Sequence, residues 1–182
     1  HARKDAQARL GEACREGDVD GARGAVDAGA DAHAAVFKWD GGMGGTRTAA
    51  YVAASSGHAD VLGDVLLPAP VSADPNTGDT ASGFTPCHTA CANDRPDAVA
   101  VLLAHGADPN RADKLGGTPC MVAALVGHTA CLRALAEGVA REGRALDVNA
   151  LVTGGEDEGK TALDVALEQD EAEAAACLRD EL

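Results

Sequence analysis

The chain has 182 residues; 46% are hydrophobic but only 2% aromatic, and the formal net charge is −14. Nucleic acid is excluded as an expected partner, because phosphate binding needs clustered Lys and Arg that this sequence lacks. A protein partner with a basic surface fits the charge, as does a plain role in solubility, and no run approaches the roughly 18 apolar residues that cross a bilayer.

The chain opens at His1 with neither an initiator methionine nor a secretory leader, and it reads as a fragment of a longer protein. Leu10-Gly-Glu-Ala-Cys-Arg-Glu-Gly17 predicts a first helix. The helix after it contains Gly21 and Gly24, each costing on the order of 1 kcal/mol, so fraying is expected there. Gly29-Ala30-Asp31 closes this unit, and a glycine-rich segment with Phe37, Lys38, Trp39, Met43 and Arg47 follows.

Three segments then align in register. They are Thr48-Ala-Ala-Tyr-Val-Ala-Ala-Ser-Ser-Gly-His58, Thr85-Pro-Cys-His-Thr-Ala-Cys-Ala-Asn-Asp-Arg95 and Thr118-Pro-Cys-Met-Val-Ala-Ala-Leu-Val-Gly-His128. Their units close with Ala73-Asp74-Pro75-Asn76, Gly106-Ala107-Asp108-Pro109-Asn110 and Asp147-Val148-Asn149, and a further opening sits at Thr161-Ala-Leu-Asp-Val-Ala166. In the middle unit Thr85 supplies an oxygen to cap free helical N–H groups. Pro86 fits the first helical position, where its missing N–H costs nothing. Cys87, Ala90 and Cys91 share one face. A second helix runs from near Pro96 through Leu103 and stops at Gly106, and Asp108-Pro-Asn110 with Gly116-Gly117 turns the chain back. Extra residues around Glu137–Arg144 lengthen either the next unit's second helix or its loop. The last unit carries Glu168, Asp170, Glu171 and Glu173, a polar cap for water.

These residues resemble the ankyrin repeat, whose pattern opens G-x-T-P-L-H-x-A-A and closes G-A-D-x-N. The resemblance implies an all-α solenoid of helix-turn-helix units with hairpin-like finger loops, about five repeats with degenerate ends. The expected organisation is a single domain over 1–182, with units at about 5–33, 34–76, 77–110, 111–149 and 150–182. Cys87 and Cys120 stand where the family has a buried leucine. His88 stands at the family histidine, whose ring ties neighbouring repeats, while Tyr51, Met121 and Asp164 replace that histidine in other units; the inter-repeat ties are therefore expected to be uneven.

Other motifs weigh less once the repeat is seen. Gly154-Gly-Glu-Asp-Glu-Gly-Lys-Thr161 spells a nucleotide-binding phosphate loop, but Glu156, Asp157 and Glu158 would repel a triphosphate, and Thr161 is already needed as a helix cap. No nucleotide is expected. Cys87-His88 with Cys91 and Cys120 suggests part of a zinc site, yet the spacing favours structural core residues and no metal. Cys14, Cys87, Cys91, Cys120, Cys131 and Cys177 all fall at apolar helical slots, as free thiols do in a reducing cytosol or nucleus. The tail Arg179-Asp180-Glu181-Leu182 resembles an ER-retention signal, but a charged helix end gives the same letters. No serine or cysteine has a plausible base, so no catalytic residue and no cofactor are expected.

What remains is a recognition surface. Asn110 to Thr118 spans 8 residues and Asn76 to Thr85 spans 9, whereas His33 to Thr48 spans 15 and Asn149 to Thr161 spans 12, so two fingers are enlarged. Of four aromatic residues (Phe37, Trp39, Tyr51 and Phe84), three fall in fingers. Trp and Arg dominate interface energies, so Phe37, Trp39 and Arg47, then Phe84, Lys114 and Leu115 on the following fingers, are candidate partner contacts. The alternative is that Trp39 folds back as a local plug. The resemblance adds Ser55, Ser56, Ala92, Asn93, Leu125 and Val126 on the first helices. Glu156–Glu158 with Glu168 suits a basic peptide or is simply a solvated charge run. The resemblance also makes Asn76, Asn110 and Asn149 candidates for asparagine hydroxylation. The leading function is a non-catalytic scaffold for a protein partner; the runner-up is a regulatory or targeting arm of a larger enzyme such as a kinase, ubiquitin ligase or channel. Replacing Trp39 by Ala separates contact from plug: lost partner capture at unchanged melting temperature supports contact, and a collapsed melting temperature supports the plug.

Overall fold

A computed structural model describes residues 2–38 and 45–180. Trp39 and Met43 lie outside the described residues, and at Phe37 and Lys38 only the backbone is described. Ten helices follow one another among these residues. They are α1 (Ala2–Glu16), α2 (Val19–Asp27), α3 (Ala49–Ser56), α4 (Ala59–Val61), α5 (Pro86–Ala92), α6 (Pro96–Ala104), α7 (Pro119–Leu125), α8 (Thr129–Arg141), α9 (Ala162–Glu168) and α10 (Ala172–Asp180). A π-helical turn, Leu62–Leu66, continues α4. β1 (Ala35–Lys38) and β2 (Thr46–Thr48) pair antiparallel as the first finger. The mostly helical fold expected from the sequence is the one found.

Two rows form. The first helices, α1, α3, α5, α7 and α9, pack each on the next, and behind them runs a row of second helices. Short helices of this kind cannot hold themselves together in water, so the packing between units carries their stability. Small side chains make the approach possible: Ala53, Ala90, Ala123 and Ala166 are all fully buried. At Gly138 a β-carbon would lie 2.2 Å from Leu103 Cδ1 on the neighbouring second helix, so even one added methyl would make Leu103 shift.

The helix starts follow from the capping chemistry. Thr48, Thr85, Thr118 and Thr161 each accept a hydrogen bond from the backbone N–H three residues on. Pro86 and Pro119 occupy the first helical position. The extra residues near Glu137 resolve mainly as helix, α8 reaching Arg141. The π turn gives no sequence signal. It carries the Leu67 N–H to the Leu62 carbonyl at 3.0 Å and leaves Leu66 and Leu67 both buried.

An asparagine ladder links the unit ends. The Asn76 amide donates to the Gly106 carbonyl at 3.1 Å and accepts from the Asp108 N–H at 2.7 Å. Asn110 repeats this with the Ala145 carbonyl at 2.8 Å and the Asp147 N–H at 2.8 Å. Asn149, in the same slot, is exposed and makes no such bond among the described residues. Asn110→Ala leaves a donor and an acceptor without partners and is expected to lower unfolding free energy by about 1–2 kcal/mol. Asn149→Ala should stay within about 0.5 kcal/mol of wild type. Urea titration followed by far-UV circular dichroism measures both.

Candidate functional site

Two fingers are built by the same device. Asp79 is buried at the base of one; its carboxylate accepts from the Ser82 N–H at 2.6 Å, the Ser82 hydroxyl at 2.9 Å and the Gly83 N–H at 3.2 Å. Burial pushes its carboxyl pKa up, but the bonds from Ser82 and the neighbouring amides outweigh this and hold it below the ordinary carboxylate value. The Asp79 N–H donates to the Phe84 carbonyl at 2.8 Å, which closes the loop and places Phe84. In the next finger the Asp113 carboxylate accepts from the Leu115 and Gly117 N–H groups, each at 2.8 Å, so Leu115 stands out at the tip. Neither aspartate was singled out from the sequence. Their signal is recurrence, an acid a few residues before each Thr-Pro.

The fingers are also tied tip to tip. The Lys114 N–H donates to the Ser82 carbonyl at 3.0 Å, and the Thr153 N–H donates to the Leu115 carbonyl at 2.9 Å. Lys114 Nζ donates to the Thr80 and Ala81 carbonyls at 2.7 and 2.8 Å, so this candidate contact serves the finger itself. Gly116 has φ of +85°, and a β-carbon there would lie 2.6 Å from the Thr153 nitrogen. Only glycine permits both that conformation and that approach.

Between these fingers and the first helices lies a groove enclosing roughly 180 Å³. Its floor is apolar, with Phe84, Met121, Val122, Leu125, Val152 and Val165, and Leu115 stands at its edge. Asp113, Glu156 and Asp157 form an acidic rim. Leu115 is 56% exposed and Leu125 and Val126 are 40% exposed. The structure thus brings together Phe84, Leu115 and Leu125 of the candidate contacts. Val126 does not line the groove. Ser55 and Ser56 are half-buried at the end of α3 and Asn93 is exposed at the end of α5, all away from it. Arg47, in β2, lies over the Tyr51 ring at 5.0 Å. Of the hydroxylation candidates, Asn76 and Asn110 have both ends of the amide engaged in the ladder, while Asn149 stands exposed.

Under the groove sits His88, fully buried and stacked on Phe84 with ring centroids 5.1 Å apart. Its Nδ1 accepts from the Thr85 N–H at 3.1 Å, which leaves Nε2–H to donate to the Gly117 carbonyl at 3.0 Å in the next finger. The ring therefore bridges two units. The other units lack this bridge: Tyr51 and Met121 are buried without it, and Asp164 instead closes a capping box with Thr161. Histidines at a different slot tie their unit to the one before it. His58 Nε2 bonds the Arg15 carbonyl at 3.0 Å, and His128 Nδ1 bonds the Cys91 carbonyl at 2.8 Å. The recurring Gly-His pairs, Gly57-His58 and Gly127-His128, were the available signal.

The phosphate-loop spelling resolves as a helix entrance. Lys160 Nζ is held by Asp157 at 2.8 Å and by Glu168, and these two hydrogen bonds, Asp157 foremost, raise its pKa. The Thr161 oxygen caps α9. Pairing with Lys160 also removes Asp157 and Glu168 from the pool of unpaired acids. The six cysteines are free and buried; burial raises Cys14 and Cys120 to about 12. Among the described residues no group of three or more His, Cys, Asp or Glu side chains is arranged to hold a metal ion, and no helix is long and apolar enough to cross a membrane.

Residues 10–113 match the family model for ankyrin repeats, in three copies. The chain belongs to the ankyrin repeat family. Among curated relatives, a stretch of 53 residues is 45% identical to the 2-5A-dependent ribonuclease of Mus musculus, covering 29% of this chain and 7% of that protein. A stretch of 55 residues is 44% identical to the human 2-5A-dependent ribonuclease, covering 30% of this chain and 7% of that protein. The likeness therefore reaches only a small part of each relative's length.

Burial holds the His88 pKa below the ordinary imidazole value of about 6.5, against smaller raising effects of the Gly117 bond, Asp113 and Asp79. The unfolded chain then binds this proton more tightly than the folded ankyrin stack. The contribution is fully present above pH 6.5 and is lost as pH falls below it, with a slope of at most about 1.4 kcal/mol per pH unit. Urea titrations between pH 7.5 and 5.5 should show this decline in wild type, and a flatter profile in His88→Gln from a lower starting stability.

Proposed function

We propose that this ankyrin stack is a non-catalytic interaction module that binds a protein partner on the groove side of its later units. The observation that carries the reading is that Leu115 and Leu125, two of the five large apolar side chains left exposed among the described residues, meet at one apolar groove, which Val126, Leu151 and Leu167 do not line. At about 180 Å³ the groove falls below the 300–1,000 Å³ usual for small-molecule pockets, which favours a side chain of a partner over a free metabolite. Acidity on the rim and the net charge of −14 favour a basic surface and oppose nucleic acid and nucleotide. The buried thiols fit a reducing compartment, cytoplasm or nucleus.

A second reading has its own support. The curated relatives are enzymes of which the aligned stretch is about 7% of the length, so a module of this kind also works as the regulatory or targeting arm of a larger chain. On that reading the groove takes a segment of the enzyme itself or of its regulator, and the dependence named for the relatives is not carried over on so short an alignment.

The test is capture by immobilised protein. Proteins retained from cell lysate by wild type should be lost with the double variant Leu115→Asp and Leu125→Glu, and kept with Arg141→Glu on the second-helix face. Both variants should unfold within about 0.5 kcal/mol of wild type, as surface changes do. Undiminished capture by the double variant places the contact elsewhere.

A further inference from the structure

The groove's chemistry identifies the occupant more closely, an inference that rests on the interaction-module reading above. Its lining is mainly the apolar side chains of Phe84, Met121, Val122, Leu125, Val152 and Val165, beside the backbone of Gly117, Gly154 and Gly155, so an apolar side chain entering it gains more than a polar one. The rim is different. Asp113 spends one carboxylate oxygen on the Leu115 and Gly117 N–H groups, and Asp157 is paired with Lys160. Glu156 is exposed, lines the groove, and makes no ion pair among the described residues. No lysine or arginine lines the groove. An apolar hole beside an unpaired carboxylate therefore selects two features at once.

We infer that the groove receives a linear segment of a partner protein that seats one aliphatic side chain between Leu115 and Leu125 and sets a neighbouring Lys or Arg against Glu156. The aliphatic side chain supplies the affinity, since burying it removes apolar surface from water on both partners. The cation supplies choice: an acidic neighbour would meet Glu156, Asp157 and Asp113 together, and like charges at an interface are strongly disfavoured. The gain from the cation is modest, because Glu156 stays in contact with water.

The sequence provides a direct reporter. The chain has two methionines, Met43 and Met121, and Met121 lies on the groove floor. Selective methyl labelling therefore gives two signals, one of which senses occupancy.

The experiment uses the full chain and a set of synthetic twelve-residue peptides in which a central Leu, Ala or Asp is crossed with a flanking Arg, Ala or Glu. Fluorescence anisotropy gives the affinity and the Met121 methyl shift gives the location. The Leu–Arg peptide is expected to bind most tightly and to move the Met121 signal. Its affinity should fall about fivefold on Glu156→Lys, an effect absent for the Leu–Ala peptide. The Ala-centred peptides should bind at least about tenfold more weakly than the Leu-centred ones. Equal binding of the Arg-, Ala- and Glu-flanked peptides, or indifference to Glu156→Lys, overturns the basic-segment inference while leaving the interaction-module reading standing. Binding of every peptide without movement of Met121, or no binding at all, overturns the assignment of a linear segment to this groove. The module reading itself fails separately, through undiminished lysate capture by the Leu115→Asp, Leu125→Glu variant.

Discussion

Everything in this molecule depends on one constraint: a pair of helices, none longer than fifteen residues, has an apolar face that only a neighbour of the same kind can cover. The inner row α1, α3, α5, α7 and α9 meets that constraint with alanine. Small side chains give up burial per residue but let backbones come close, so dispersion contacts accumulate over many short distances. This is why a protein with so few aromatic residues still has a continuous core.

Polar ties then set the register between units that apolar contact alone would leave free to slide. The fingers, the asparagine ladder and the histidine bridges all end on the main chain of an adjacent unit. Main-chain partners matter here, because they fix position without depending on the identity of the neighbouring side chain. His58 and His128 reach back to the preceding unit, whereas His88 reaches forward, so they add ties of their own and do not replace the bridge absent at Tyr51 and Met121. Each interface keeps some tie, though not the same one.

Much of the fold was legible because its determinants are local. A threonine at a helix entrance, a proline after it and a glycine at the exit specify a helix within a few residues, and recurrence at Thr48, Thr85, Thr118 and Thr161 specifies the stacking. The π turn at Leu62–Leu66 was not legible, because it answers to packing against other units. The candidate site was half legible. Leu115 and Leu125 could be read as apolar residues at solvent positions, and Phe84 as an aromatic residue in a finger. Their convergence with Val152 and Val165 depends on how adjacent fingers lean on each other, and Asp79 and Asp113 act through loop hydrogen bonds that no helical periodicity reveals. Lys114 and Glu168 show the reverse: both looked available in the sequence, and both are committed to internal bonds.

The ties differ in kind from one junction to the next. Where α5 meets α7, His88, His128, Asn110 and Arg144 all reach across to neighbouring main chain. At the following junction Thr153 reaches the Leu115 carbonyl with both its N–H and its hydroxyl, beside apolar contact. The groove straddles this same junction, with Met121 on one bank and Val165 on the other. On the proposed reading a guest lying there is a strap as well as a ligand, since touching both banks stabilises the contact between them for as long as it is bound.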